Sequence, residues 1–231
     1  MLRAVLFDWG GTLVDFEWDD VLLAAGHRAG FAALGREGEA PAFTDRFRNG
    51  LQRSLRPGDD YRALLRDELG VGNEEVDRFL DAEYRVWTPA HALLGSAHAM
   101  LEALRARGLA LAIVANGWPE PARLIRRRIA ELGVAERVDA IVLAEEVGAR
   151  KPDAQIFQAA LAQLRVDAGE TLHVGDRLED DVLGATNSGL ATAQAVWFDA
   201  DAAQVDVEPD FVVFTPMDVL NVARRLAAIG V

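Results

Sequence analysis

Short apolar runs alternating with helix-like patterns predict an α/β protein built on a doubly wound parallel sheet, with an all-helical segment inserted after the first strand. Two observations carry this reading. The runs are continuously apolar rather than alternating, which suits strands covered on both faces. The segments between them repeat apolar residues at helical spacing, and strand–helix alternation of that kind builds βαβ units.

Ala4-Val5-Leu6-Phe7 is the first run, stopped by Asp8. Leu109 to Val114 is the second, stopped by Asn116-Gly117, and Ala140 to Leu143 is the third. Thr171 to Val174 is the fourth, stopped by Gly175-Asp176; Ala193 to Phe198 and Phe211 to Phe214 read as two more. Among the helical patterns, Ala97 to Arg107 sets Met100, Leu101 and Leu104 on one face, and Gly108 is placed to cap its end. Pro121 to Leu132 and Asp153 to Leu164 are similar. From about Phe16 to Pro89 the rhythm breaks: no convincing strand occurs, and helices fit Asp20 to Leu34, Ala42 to Leu55, Asp60 to Leu69 and Glu74 to Val86. The expected domains are therefore a core of residues 1–15 and 90–231 and a helical insertion of residues 16–89.

Composition narrows the function. With 37 acidic and 24 basic residues the net charge is −13, which repels phosphate backbones and anionic membranes, so neither nucleic acid nor membrane is an expected partner. There is no cysteine, which excludes disulfides, thiolate zinc sites and cysteine nucleophiles. No basic-then-apolar leader opens the chain, and Leu109 to Ala115, the longest apolar stretch, is far short of the roughly 18 residues of a membrane span. The expected location is the cytoplasm.

Four segments carry candidate chemistry. In Phe7-Asp8-Trp9-Gly10-Gly11-Thr12-Leu13 an acid follows a buried strand directly, at the sheet edge where doubly wound folds bind ligands, and two glycines let the backbone approach one. In His173-Val174-Gly175-Asp176 a second strand ends in a carboxylate, followed by Glu179, Asp180 and Asp181. An acidic helix start is favourable in itself and accounts for those three residues, but less well for Asp176. If the first and fourth strands are neighbours, Asp8 and Asp176 converge and repel, and a hard cation such as magnesium resolves the conflict. Lys151-Pro152-Asp153 places an ammonium just ahead of a helix N-terminus, the wrong end for a cation unless an anion lies nearby. Asn116-Gly117, after the second strand, can offer backbone N–H groups to an anion.

Together these segments resemble the motifs of the haloacid dehalogenase (HAD) superfamily. Phe7 to Leu13 is similar to its first motif, Ile113-Val114-Ala115-Asn116-Gly117 to its second, and Lys151-Pro152-Asp153 with Ile156-Phe157 to its third. His173 to Asp176 with Asp180, Asp181, Gly184, Ala185 and Gly189 is similar to its fourth. The resemblance implies a HAD-like Rossmannoid core of strand order 5-4-1-2-3, with the helical insertion as a first-position cap. It implies a Mg2+-dependent hydrolase, most simply a phosphatase of a small phosphorylated metabolite. Asp8 would be the nucleophile, forming an aspartyl-phosphate, and Lys151 would neutralise it. Asp8, the Gly10 carbonyl, Asp176 and Asp181 would form the metal site. Asn116, Gly117 and Gly11 would hold the phosphoryl group.

Two positions depart from the family pattern. Gly10 stands where phosphatases of the family carry a second aspartate as acid/base, and Ala115 where the second motif ends in serine or threonine. The first suggests a slow or specialised phosphatase, with His27, Asp19 and Asp20 as replacement acids, although a plain helix-surface role suits each. A 2-haloacid dehalogenase and a non-catalytic relative binding a phosphorylated ligand or a protein partner are the alternatives. Trp9 suits packing or the pocket wall. Trp18, Trp87 and Trp118 could line a cleft, Trp197 reads as core, and His91 and His98 lack a metal-spaced partner. His173, inside a buried strand, reads as a satisfied core histidine.

Overall fold

The computed structural model describes residues 1–16, 20–51, 61–117, 121–198 and 205–229. Its strands are β1 (Ala4–Phe7), β2 (Val14–Phe16), β3 (His91–Leu93), β4 (Ala110–Ala115), β5 (Ala140–Leu143), β6 (Thr171–Gly175), β7 (Ala191–Ala195) and β8 (Phe211–Val213). Six of them form one sheet in the order β5-β4-β1-β6-β7-β8, and every pairing is parallel. This is the 5-4-1-2-3 order of the resemblance, with β8 added outside the fifth core strand. β2 and β3, too short to stand out in the sequence, pair as a separate two-stranded ribbon.

The chain forms two compact units. One comprises Met1–Asp15, Leu93–Asn116 and Arg126–Val231; the other comprises Phe16–Ala92 and Gly117–Ile125. The second unit takes in residues 117–125 because Leu124 is buried in its apolar core.

In the first unit, Leu6, Ala112, Val114 and Val142 on one sheet face pack against Ile156, Phe157 and Ala160. Those three lie on the helix Ala154–Leu164, whose N-cap Asp153 accepts a hydrogen bond from the Gln155 N–H at 2.8 Å. Alternate residues Val5, Phe7, Leu111 and Ile113 point the other way and are fully buried too. The continuous apolar runs therefore mark strands covered twice, and each large side chain so buried contributes about 1.5–3 kcal/mol. Helix Ala97–Arg105 packs on β4 and against Pro216–Ile229. The latter helix was not anticipated; Thr215 and Asp218 cap it reciprocally. β7 starts and ends earlier than the predicted Ala193 to Phe198, and the Trp197 indole beyond it turns back to donate to the Thr12 carbonyl at 2.8 Å.

In the second unit the described helices are Asp20–Ala33, Ala40–Arg46, Tyr61–Leu69 and Asn73–Trp87. The second widens into a π-type turn over Phe47–Leu51, and the remainder of the predicted Ala42 to Leu55 helix lies outside the described residues. Phe31, Phe43 and Phe79 pack edge-to-face, with Phe31 and Phe79 5.3 Å apart at 83°. Trp87 is interior to this unit and donates to the Leu22 carbonyl at 3.1 Å.

Candidate active site

Parallel strands end together, and this brings distant residues to one edge. Phe7 is in register with Val174 on the neighbouring strand β6, and the Asp8 N–H continues the ladder by donating to the Val174 carbonyl at 2.9 Å. Asp8 thus follows β1 directly, and Asp176 follows β6 directly, both at the carboxyl end of the sheet where such folds bind ligands. Asp8, Asp176 and Asp181 each offer an oxygen, and these oxygens all lie within 4.8 Å of one another.

Lys151 enters from the loop before helix Ala154–Leu164. Its side chain is 2% exposed, and Nζ lies 2.5 Å from both Asp8 Oδ1 and Asp181 Oδ1. The anion that its position at a helix start demanded is supplied by the protein. Asp153 is the N-cap of that helix, and the Lys151–Pro152 peptide just before it is cis. Asn116 clamps the lysine's backbone: its Oδ1 accepts from the Lys151 N–H at 2.7 Å, and its Nδ2 donates to the Lys151 carbonyl at 3.0 Å. The loop after β4 therefore positions the lysine. Gly117 next to it has φ +62°.

Asp181 lies in a wide π-type turn, Leu178–Leu183, a geometry frequent at functional sites. Besides Lys151, its Oδ1 meets His173 Nε2 at 2.9 Å, and its Oδ2 accepts the Arg177 N–H at 3.0 Å. Asp176 accepts from Thr12 Oγ1 at 3.3 Å, and its carbonyl accepts from Gln194 Nε2 at 3.2 Å. Gly11, at φ +80°, runs so close beneath Asp176 that a Cβ there would sit 2.6 Å from its Oδ2. Gly10 is exposed, with no heavy atom within 4 Å of where its Cβ would be.

Three carboxylates here face one ammonium. Burial first, then Asp8 and Asp181, pushes the Asp176 carboxyl up to about 8. Burial raises Asp8 as well, although Lys151 opposes it. Burial also works to raise Asp181, but Lys151 and His173 prevail and hold it below the usual carboxylate range. Burial disfavours the Lys151 charge, and Asp181 and Asp8 more than offset this, raising the ammonium above the ordinary lysine range. An all-oxygen donor set with surplus negative charge fits a hard divalent cation, and the carboxylates of Asp8, Asp176 and Asp181 are the residues able to hold it.

Other candidates fall elsewhere. His27 is wholly buried, not on a helix surface, with Nδ1 2.9 Å from Thr44 Oγ1. Asp20 is exposed and pairs with Arg48 at 3.2 Å. Asp19, Trp18 and Trp118 lie outside the described residues. His91 stacks edge-on to Tyr84, and His98 Nε2 lies 2.7 Å from the Leu132 carbonyl. His173 is the residue that sequence reasoning missed: it is buried as expected but bonded to Asp181, whose place eight residues on was the available signal.

Comparison with known proteins bears on this constellation. The model of the haloacid dehalogenase-like hydrolases matches residues 2–189. A phosphoserine phosphatase of Thermus thermophilus is 35% identical over 148 residues, 64% of this chain and 56% of that protein. A pyrimidine 5'-nucleotidase of Escherichia coli is 35% identical over 143 residues, 62% of this chain and 57% of that protein. The chain thus spans just over half the length of these curated relatives. The same fold occurs in a HAD phosphatase of Thermococcus onnurineus (TM-score 0.68, 22% identity, 96% of this chain and 97% of that one). It occurs equally in a 2-haloacid dehalogenase of Pseudomonas syringae (TM-score 0.68, 24% identity, 97% and 99%).

Proposed function

The chain belongs to the haloacid dehalogenase-like hydrolases, and from that membership and its sheet-edge site we propose a magnesium-dependent phosphatase of small phosphorylated molecules, working through an aspartyl-phosphate on Asp8. The observation that carries this reading is the meeting of Asp8, Asp176 and Asp181 around Lys151, a cluster with more carboxylates than one ammonium balances. Phosphatases and a nucleotidase among the relatives support the substrate class.

In this reading an Asp8 carboxylate oxygen attacks phosphorus. The Asp8–phosphorus bond forms, the bond to the leaving oxygen breaks, and water later cleaves the aspartyl-phosphate. Lys151 offsets the charge on Asp8 and on the phosphoryl oxygens. Backbone N–H groups at Asn116, Gly117 and Gly11 are proposed to hold those oxygens. Asp8, Asp176 and the Gly10 carbonyl would hold magnesium, with Asp181 completing the set, and the ion supplies positive charge against the transferring phosphoryl group. Gly10 provides no carboxyl to protonate the leaving group, and His27 is buried in the helical unit, so leaving groups that need no proton are favoured, acyl phosphates among them. The helical unit is proposed as the cap that selects the leaving group. No helix among the described residues is long and apolar enough to cross a membrane, and a chain without cysteine suits the reducing cytoplasm.

The test is hydrolysis of p-nitrophenyl phosphate and acetyl phosphate with magnesium or with chelator. Turnover is expected only with magnesium, and Asp8→Asn abolishes it. Chelator-insensitive turnover, or chloride release from 2-chloropropionate, would turn the assignment toward a dehalogenase.

A further inference from the structure

We propose that His173 is a positioning residue, fixing Asp181 and, through it, the Lys151 ammonium against Asp8. The proposal deepens, and rests on, the phosphatase reading of this site.

The whole of β6 is buried, and its neighbours to either side of His173, Leu172 and Val174, are apolar. The imidazole is 1% exposed and meets the edge of Phe157 with centroids 5.1 Å apart. An apolar side chain would fill that space with no polar group to satisfy. A histidine there leaves Nδ1 buried without a hydrogen-bond partner. What the ring gains is one contact, Nε2 to Asp181 Oδ1 at 2.9 Å. Nε2 facing the carboxylate is thus the polar contact that the ring makes in exchange for its unpartnered Nδ1.

Asp181 needs such a restraint. It sits in a wide turn rather than a regular helix, and its Oδ1 is the second of the two oxygens that hold the Lys151 ammonium. The Arg177 N–H restrains Oδ2, and His173 restrains Oδ1. Gly175 keeps the space clear, because a side chain at that position would collide with the Asp181 carboxyl group. Without His173 only the ammonium itself holds Oδ1, so carboxylate and ammonium can shift together away from Asp8.

The experiment compares His173→Phe and His173→Gln with wild type on p-nitrophenyl phosphate at saturating magnesium. Losing a hydrogen bond to a charged group is expected to lower kcat about ten- to a hundredfold in the Phe variant, with KM within about twofold of wild type. Gln, whose amide N–H can reach Asp181, is expected to recover most of the rate. A lowered melting temperature with unchanged kcat in the Phe variant would reduce His173 to a packing role and overturn the proposal. So would equal losses in Phe and Gln. Where the Phe variant does not fold, His173→Asn takes its place: one methylene shorter than Gln, it must lose rate where Gln keeps it. A crystal structure of whichever of these two variants folds separates the two readings. If wild type hydrolyses no phosphate at all, the phosphatase assignment fails by itself. The positioning claim then stands if Lys151 Nζ has moved beyond about 3.5 Å from Asp8, and falls if the ammonium still bridges Asp8 and Asp181.

Discussion

Replacing Gly10 by aspartate probes the proposed chemistry at the point where this chain departs from its family. Gly10 is exposed two residues after Asp8, nothing lies within 4 Å of a Cβ built on it, and it is not among the glycines with positive φ. The backbone therefore accepts a side chain without strain, and restricting the unfolded chain adds about 0.4–1 kcal/mol of stability. The new carboxyl enters a loop beside three acids whose oxygens already lie within 4.8 Å of one another. Repulsion from them favours its protonated form toward neutral pH, as a general acid requires. Acid–base help of this kind is worth 10²–10⁴-fold, and in a loop not shaped around the added group about 10²-fold, or ~2.7 kcal/mol of barrier, is expected. The assay is kcat at saturating magnesium on glycerol phosphate beside p-nitrophenyl phosphate. The alkoxide needs a proton and nitrophenolate does not, so the gain belongs on glycerol phosphate. Wild-type rates on both substrates, from a variant with an undiminished melting temperature, would refute the account of this position.

Lys151→Met leaves Asp8 and Asp181 without the cation now 2.5 Å from each. Breaking such a buried pair costs about 3–5 kcal/mol, or about 6–20 °C of melting temperature for a chain of this size, and magnesium is expected to restore part of it. A variant whose melting temperature does not respond to magnesium would argue against a cation among these carboxylates. Burial chiefly, then Arg48, lowers His27 from 6.5 to about 4. The unfolded chain then takes up a proton below 6.5 while the folded chain resists until about 4, so stability is full above 6.5 and lost as pH falls toward 4. The loss is at most ~3 kcal/mol, reduced by the Glu83 carboxylate 3.7 Å away. Urea unfolding from pH 7 to 4.5 should show a steeper decline for wild type than for His27→Gln, and parallel curves would contradict it.

Asp8 and Asp176 were legible because a continuous apolar run stopped by an acid can only place that acid at the sheet's rim. Lys151 was legible as a misfit, a cation at a helix start. His173 was not, because alternation along a buried strand says which residues are inside and nothing about what they touch there. Its partner Asp181 lies in a turn without helical periodicity, so no face could be assigned to it. Trp87 and His27 misled for a related reason. An amphipathic pattern shows that a helix has an inner face, but not that an imidazole bonded to Thr44 belongs on it. The run ending at Phe198 outlasted β7 because Trp197 is drawn back to Thr12 by a hydrogen bond, a tertiary pull that a local pattern does not encode.

The Lys151–Asp8 contact joins residues 143 positions apart, and the second carboxylate on that ammonium lies 30 positions further on. The proposed centre therefore cannot assemble until β6 and the turn after it have formed and β6 has paired with β1. Under the proposed chemistry, chains cut short before that turn should be inert however stable their early segments are.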